Sequence, residues 1–104
     1  MTQVRLSPQV VSFLKSLAPE PRRRVRDALR GLQLGKGDIR ALEQELTGFC
    51  RLRVGRYRVV FHYVPKSDEP ECFCDYAESR NVIYEHFAAI LSEEGPGAIS
   101  GTEL

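Results

Sequence analysis

Residues 49–63 of the chain, FCRLRVGRYRVVFHY, predict a β-hairpin. Apolar and polar residues alternate on both sides of Gly55-Arg56, which indicates two antiparallel strands joined by a two-residue turn. Glycine suits such a turn because it adopts positive φ angles without steric strain. Residues that face each other across a hairpin lie on the same side of the sheet. Here they form three apolar pairs: Cys50 with Phe61, Leu52 with Val59, and Val54 with Tyr57.

The opposite side of this hairpin is predicted to carry positive charge. It collects Arg51, Arg53, Arg58 and His62, with Phe49 and Val60 among them. Arginine presents a planar, permanently charged fork of N–H donors, and this geometry suits phosphate groups. We therefore interpret this side of the hairpin as a surface for phosphate or for an acidic protein segment. A solvated sheet face without a ligand is the alternative interpretation of the same pattern.

Two helices are predicted before the hairpin. Gln3–Leu6 is a candidate first strand, and Ser7-Pro8 then begins a helix, since serine is a favoured N-cap and proline is favoured at the first helical position. The segment 18–21, APEP, ends this helix and begins another. The second helix has an apolar stripe at helical spacing: Val25, Ala28, Leu29 and Leu32. Its opposite side is basic and is predicted to face solvent, with Arg22, Arg23, Arg26 and Arg30.

The remaining segments complete an α+β fold. Residues 39–46 fit either a helical turn or extended chain, and residues 65–70 indicate a polar turn. Glu71–Ala77 alternates as a third strand, and a last helix is predicted from about Ser79 to the stop at Gly95-Pro96. We expect two N-terminal helices packed on an antiparallel sheet of about 3–4 strands, with a C-terminal helix. Residues 1–94 form a single domain in this prediction, and residues 95–104 form a frayed tail.

Composition predicts a globular chain without a cofactor. The 104 residues contain no apolar run near the ~20 that a membrane helix needs, and their start lacks the pattern of a signal peptide. We therefore expect a cytoplasmic protein. The three cysteines, Cys50, Cys72 and Cys74, have no zinc-like spacing. We expect reduced core thiols with no metal, and redox or metal chemistry at these thiols is the alternative.

Charge is divided unevenly along the chain, although the net formal charge is only +1. Residues 1–66 carry 14 of the 15 Lys and Arg against five acids, whereas residues 67–104 carry Arg80 alone against nine acids. Such asymmetry indicates a basic surface that faces nucleic acid or an acidic partner. The alternative is that the acidic half of the chain folds back and neutralises the basic half.

Two motifs in this order resemble the RelE/ParE superfamily of bacterial toxins from type II toxin–antitoxin modules. The first runs from Leu42 to Phe61 and ends in LTGFCRLRVGRYRVVF, which is similar to the arginine-rich hairpin block of that family. The second is RNVIY, residues 80–84, which begins 22 residues after Arg58. The resemblance covers roughly residues 3–92. It implies a RelE/ParE toxin-like domain over nearly the whole chain.

This resemblance implies a toxin that a cognate antitoxin holds inactive, in a possible hetero-oligomer. RelE-like members of the superfamily cleave messenger RNA on the ribosome, and ParE-like members inhibit DNA gyrase. Carried over by position from the cleaving branch, Arg51 and Arg53 are RNA-binding residues, and Arg56 at the turn joins them. The catalytic candidates are Arg58, Arg80 and Tyr84 from the resemblance, with His62 added from the predicted arginine side of the hairpin.

The implied chemistry is metal-independent cleavage, in which the 2′-OH of RNA attacks the adjacent phosphorus. Arginine keeps its proton and cannot be the general base, yet Arg51 and Arg53 occupy positions that are often lysine in ribonuclease members. Four candidates for the general base remain open: Tyr84, His62, His86 and Glu78. A ParE-like gyrase inhibitor, or an inactive member that only binds protein or nucleic acid, is the alternative to a ribosome-dependent endoribonuclease.

Overall fold

The computed structural model describes residues 2–79, 83–94 and 102–103 and has an α+β fold, which confirms the predicted class. Within these residues, three α-helices pack on a six-stranded sheet. The helices are α1 (Pro8–Ser16), α2 (Pro19–Gly31) and α3 (Ile83–Glu94). The strands are β1 (Val4–Leu6), β2 (Asp38–Ala41), β3 (Cys50–Val54), β4 (Tyr57–Val64), β5 (Glu71–Glu78) and β6 (Thr102–Glu103). They lie in the order β2-β3-β4-β5-β1-β6.

The β3–β4 hairpin forms with the predicted register. Gly55 begins the turn with a φ of 60°, a conformation that explains why glycine stands there. The three apolar pairs are confirmed: Cys50 with Phe61, Leu52 with Val59, and Val54 with Tyr57. The alternation of the sequence therefore assigns each hairpin residue to the correct face of the sheet.

The sheet is larger than predicted, and one of its pairings is parallel. Strand β1 runs parallel to β5, so the prediction of an antiparallel sheet of about 3–4 strands is corrected in this one pairing and in the number of strands. The ambiguous segment 39–46 contains both structures, since β2 pairs antiparallel with β3 and residues 44–46 then form a 3-10 turn. Strand β6 pairs antiparallel with β1, which brings two residues of the predicted tail into the sheet. Local alternation does not encode the direction in which distant segments pair.

The start of α1 follows its predicted capping residue, whereas the start of α3 differs from the prediction. Ser7 caps α1 as predicted, because its Oγ accepts a hydrogen bond from the Val10 amide at 3.2 Å and donates one to the Asp75 carbonyl at 2.7 Å. The described part of α3 begins at Ile83, and Ser79, from which a helix was predicted, is not helical.

Arg22 differs from the prediction of a solvated basic side of α2. Its guanidinium donates to the carbonyls of Leu14, Lys15 and Leu17 at 3.0, 3.2 and 2.8 Å. Leu14 and Lys15 lie in the last turn of α1, where carbonyls lack the usual helical partners, and Leu17 is its C-cap. The Leu14 carbonyl also accepts a hydrogen bond from the Leu17 amide at 3.2 Å. Arg22 therefore caps the neighbouring helix, and the spacing along α2 alone does not reveal this role.

The sheet separates two apolar clusters. Helices α1 and α2 cover one face, where the cluster includes Val25, Leu29, Leu52, Val59 and Phe61. Helix α3 covers part of the other face, with Leu46, Val60, Ile83 and Phe87. No helix in the described ranges is long and apolar enough to cross a membrane. The part of the second face that α3 leaves open lies at the turn end of the β3–β4 hairpin, where the arginines are found.

Candidate functional site

Four arginines are brought together on neighbouring strands of the second face. Arg40 of β2 is directly opposite Arg51 of β3, and Arg53 of β3 is directly opposite Arg58 of β4. Directly opposed residues of antiparallel strands have their Cβ atoms about 5 Å apart. The register thus gives two opposed pairs, or rows, that are staggered by one strand, and we call this set the arginine square (Arg40, Arg51, Arg53 and Arg58).

The arginine square lines an open cavity of about 340 Å³. Helix α3 contributes Tyr84 to the wall, and Leu42, which follows β2, contributes an apolar side. The structure therefore brings together three arginines and the tyrosine that the sequence predicted as site residues. It adds Arg40, which the sequence prediction missed because this residue lay in the segment 39–46 that also fitted a helical turn.

The positive charge of the arginine square is only partly balanced. Asp38 of β2 contacts Arg51, with an Nη1–Oδ2 distance of 3.5 Å, and the Arg51 side chain is only 10% exposed. Arg40 and Arg53 are exposed, and within the described residues neither makes a hydrogen bond or an ion pair. Like charges directly opposite each other in a sheet are destabilising. An arrangement of this kind is favourable when an anion occupies the space between the guanidinium groups.

Arg58 is held by the turn that precedes it. Its Nη1 donates to the carbonyls of Gly55 and Tyr57, at 3.0 and 3.1 Å. Glu78 of β5 is directly opposite Arg58 in the sheet, yet its carboxylate contacts His86 instead. These contacts fix the position of the Arg58 guanidinium while its Nε and Nη2 keep their donors free of bonds within the described residues.

One predicted site residue lies elsewhere, and another falls outside the described residues. Arg56 occupies the hairpin turn, where its guanidinium carbon lies 5.4 Å from the centroid of the Tyr57 ring, and it does not line the cavity. Arg80 lies outside the described residues. The RNA-binding role of Arg56 and the catalytic role of Arg80 stay predictions.

His62 lies on the arginine side of β4, as predicted, but beyond the cavity wall. Its Nδ1 is 2.8 Å from Oδ2 of Asp75, and the edge of its ring meets Phe49 at a centroid distance of 5.2 Å. A β-bulge creates this pair, since Val60 faces Tyr76 and Phe61 faces Cys74, which leaves Asp75 as an extra residue in β5. Burial raises the pKa of the Asp75 carboxyl, and the bond with His62 opposes that rise.

The three cysteines are free thiols, two of them in the core. Cys72 and Cys74 are fully buried on the α1–α2 face, and Cys50 is half-buried. A hydrogen bond with Cys72, together with burial, raises the pKa of Cys74 well above its ordinary value. Burial also raises the pKa of the Cys50 thiol. The thiolate form that nucleophilic or metal chemistry requires is therefore disfavoured at Cys50 and Cys74.

Comparison with known proteins adds no relative from which a function can be transferred. The chain matches no protein-family model, and a search of curated proteins finds no match either. Its function is therefore argued from the arginine square and Tyr84, together with the motifs of the sequence.

Proposed function

We propose that the protein is the toxin of a toxin–antitoxin module and acts as a ribosome-dependent endoribonuclease. The observation that carries this proposal is the cavity where the arginine square meets Tyr84. These are residues at the positions that the resemblance to RelE-like toxins singles out, and Arg40 enlarges the set. A substrate with closely spaced negative charges and a flat group to stack on Tyr84 would complement this cavity, and single-stranded RNA has both.

The geometry supports binding of neighbouring phosphates. Arg51 and Arg53 are two residues apart on β3, which separates the two rows of the arginine square by about 7 Å. One row can hold the backbone while the other, which includes Arg58, lies at the reacting phosphate. Guanidinium groups that are already positioned stabilise the charge that develops on phosphorus when the 2′-OH attacks. Holding the strand at two points also aligns that attack.

Expression in bacteria tests the proposed reaction. Induction of the wild-type protein should arrest translation and leave messenger fragments cut within codons, with 2′,3′-cyclic phosphate or 3′-phosphate ends. The variant Arg53→Ala/Arg58→Ala should fold and lose toxicity, because two guanidinium groups of the cavity are gone. Arrest of replication with intact messages would instead support the gyrase inhibitor. Harmless expression and uncut RNA on isolated ribosomes would contradict the enzyme.

An antitoxin is the partner that this proposal requires. Arg40 and Arg53 are exposed, and an acidic segment laid over the arginine square would offset the repulsion between its members. We expect a small reading frame beside this gene that encodes a protein with a disordered acidic or amphipathic arm, which folds on binding. Co-expression of that protein should restore growth and yield a stable complex. An isolated gene without such a neighbour would count against the module.

A second candidate function is binding without catalysis. The observation that favours it is the composition of the cavity wall, which consists of four arginines, Leu42 and Tyr84. Arginine cannot accept a proton, and a phenol titrates near pH 10 in its ordinary state. A cavity of this kind binds phosphate but needs a further group to take the proton of the 2′-OH. Tight RNA binding without cleavage on ribosomes would establish this function in place of the endoribonuclease.

A further inference from the structure

A histidine outside the cavity wall is paired with a carboxylate next to the arginine square. Nδ1 of His86 on α3 lies 2.8 Å from Oε2 of Glu78, the last residue of β5. The His86 side chain is 52% exposed, whereas that of Glu78 is 23% exposed. A carboxylate that binds Nδ1–H holds the neutral ring in the tautomer whose Nε2 carries the lone pair. In that tautomer, Nε2 of the half-exposed His86 ring can accept a proton.

The sheet register places this pair beside Arg58. Glu78 is the residue directly opposite Arg58, so both side chains lie on the arginine face at the same level of the sheet. Helix α3 carries His86 two residues after Tyr84, which lines the cavity. Near its start, α3 therefore presents Tyr84 to the wall of the cavity and His86 to Glu78, the residue directly opposite Arg58.

We propose that His86, oriented by Glu78, is the general base of the endoribonuclease, an inference that rests on the proposed function. His86 Nε2 takes the proton of the 2′-OH, the 2′-oxygen forms a bond to phosphorus, and the bond from phosphorus to the 5′-oxygen breaks. The products are a 2′,3′-cyclic phosphate and a 5′-hydroxyl, whose proton comes from water. Glu78 is a positioning residue that fixes the ring and stabilises the imidazolium formed.

The surroundings of His86 suit this role. Imidazole can accept a proton near neutral pH, whereas a guanidinium group cannot. The titratable and charged groups near it are Glu78 on β5, Arg58 opposite Glu78 on β4, and Tyr84 and Glu85 on its own helix. The other histidine forms the same kind of pair with Asp75, but it is packed against Phe49 and Phe73 beyond the cavity.

Single-turnover cleavage on programmed ribosomes tests this assignment. The variants to compare with wild type are His86→Gln, Glu78→Gln, His62→Gln and Glu93→Gln. His86→Gln should lower the rate 10²- to 10⁴-fold, the usual contribution of a general base, while its affinity for single-stranded RNA stays within twofold of wild type. The wild-type rate should rise between about pH 5 and 8, and this dependence should be absent in His86→Gln. Glu78→Gln should cause a smaller loss and shift the profile. Glu93→Gln, an exposed change two turns further along α3, should match wild type.

The outcomes separate this inference from the proposed function. Cleavage by wild type and His86→Gln at equal rates, with the same pH profile, would overturn the role of His86 and leave the endoribonuclease standing. A loss in His62→Gln but not in His86→Gln would move the role to the other histidine. A wild-type protein that binds RNA and never cleaves it would reject the endoribonuclease itself, and the role of His86 with it.

Discussion

The two faces of the β3–β4 hairpin differ in how they are covered, although they alternate along the same two strands. On the face towards α1 and α2, Leu52, Val59 and Phe61 are no more than 1% exposed and belong to the apolar cluster beneath those helices. On the other face, Val60 is covered by the cluster under α3, whereas Arg53 and Arg58 stand next to each other at the open end. One face holds the fold together, and the other places two arginines directly opposite each other, which costs some stability.

This difference predicts that one face of the hairpin determines stability and that the other determines the proposed binding of phosphate. Removing apolar volume from the covered face should weaken folding without touching the arginines. Removing an arginine from the open face should relieve repulsion and weaken binding, with little effect on folding. Paired substitutions, one on each face of the hairpin, therefore test whether the two faces serve different purposes.

Phe61 is the position at which we expect a substitution to change stability most. Phe61→Ala removes a fully buried ring and should lower the free energy of unfolding by about 3–5 kcal/mol. Arg53→Ala, on the open face of the same hairpin, should change it by no more than about 0.5 kcal/mol in either direction. Urea titrations followed by circular dichroism measure both values. A loss above about 2 kcal/mol for Arg53→Ala would mean that the arginine square serves the fold after all.

A smaller contrast separates two adjacent arginines of α2. Arg22→Ala removes three hydrogen bonds to the carbonyls at the end of α1 and should destabilise the protein by about 1–2 kcal/mol. Arg23→Ala changes an exposed side chain and should stay within about 0.5 kcal/mol of wild type. Equal midpoints of thermal unfolding for the two variants would show that the contacts of Arg22 contribute nothing.

The smallest effect concerns Asp75 and appears only as a dependence on pH. Burial raises the pKa of this carboxyl in the folded state above its ordinary value of 3.8. The Asp75 carboxyl therefore binds its proton more tightly in the folded protein than in the unfolded chain. This proton stabilises the folded state at low pH, and that contribution to the free energy of unfolding is lost as the pH rises from 3.8 through the raised pKa. Asp75→Asn cannot ionise, so its stability relative to wild type should increase over that interval. Urea titrations at a series of pH values measure this difference. A difference in the free energy of unfolding between Asp75→Asn and wild type that stays constant with pH would contradict the raised pKa of Asp75.

The hairpin is the element that the sequence predicts best, because residues close together in the chain determine its turn and its two faces. Alternation around Gly55 assigns the faces of both strands, and the cap at Ser7 marks the start of α1. The parallel pairing of β1 and the capping role of Arg22 depend on contacts between distant segments, which no local pattern records. Arg40 was missed for the same reason, since a strand of four residues shows its role only once β3 lies beside it.

The candidate site was predictable in part. As expected, one cavity is lined by Arg51, Arg53, Arg58 and Tyr84. Strand alternation predicted the arginine face, and the order of the two motifs predicted Tyr84. His62 lies on the predicted face, but periodicity gives a side of the sheet and not a distance along it. The pairing of His86 with Glu78 requires the position of α3 over β5, which only the folded structure provides.

The central claim is that the arginine square binds the phosphates of single-stranded RNA. Equilibrium binding of a short unstructured RNA, measured from low to moderate salt, tests it most directly. For single strands, log affinity falls with log salt by about 0.7 per neutralised phosphate, so four contacts predict a slope near −2.8. Arg53→Ala/Arg58→Ala should flatten that slope by about 1.4. The matched control, Arg23→Ala/Arg26→Ala on exposed positions of α2, removes the same charge and should leave the slope at its wild-type value. A slope that Arg53→Ala/Arg58→Ala leaves unchanged, or that the α2 control flattens equally, would contradict the claim.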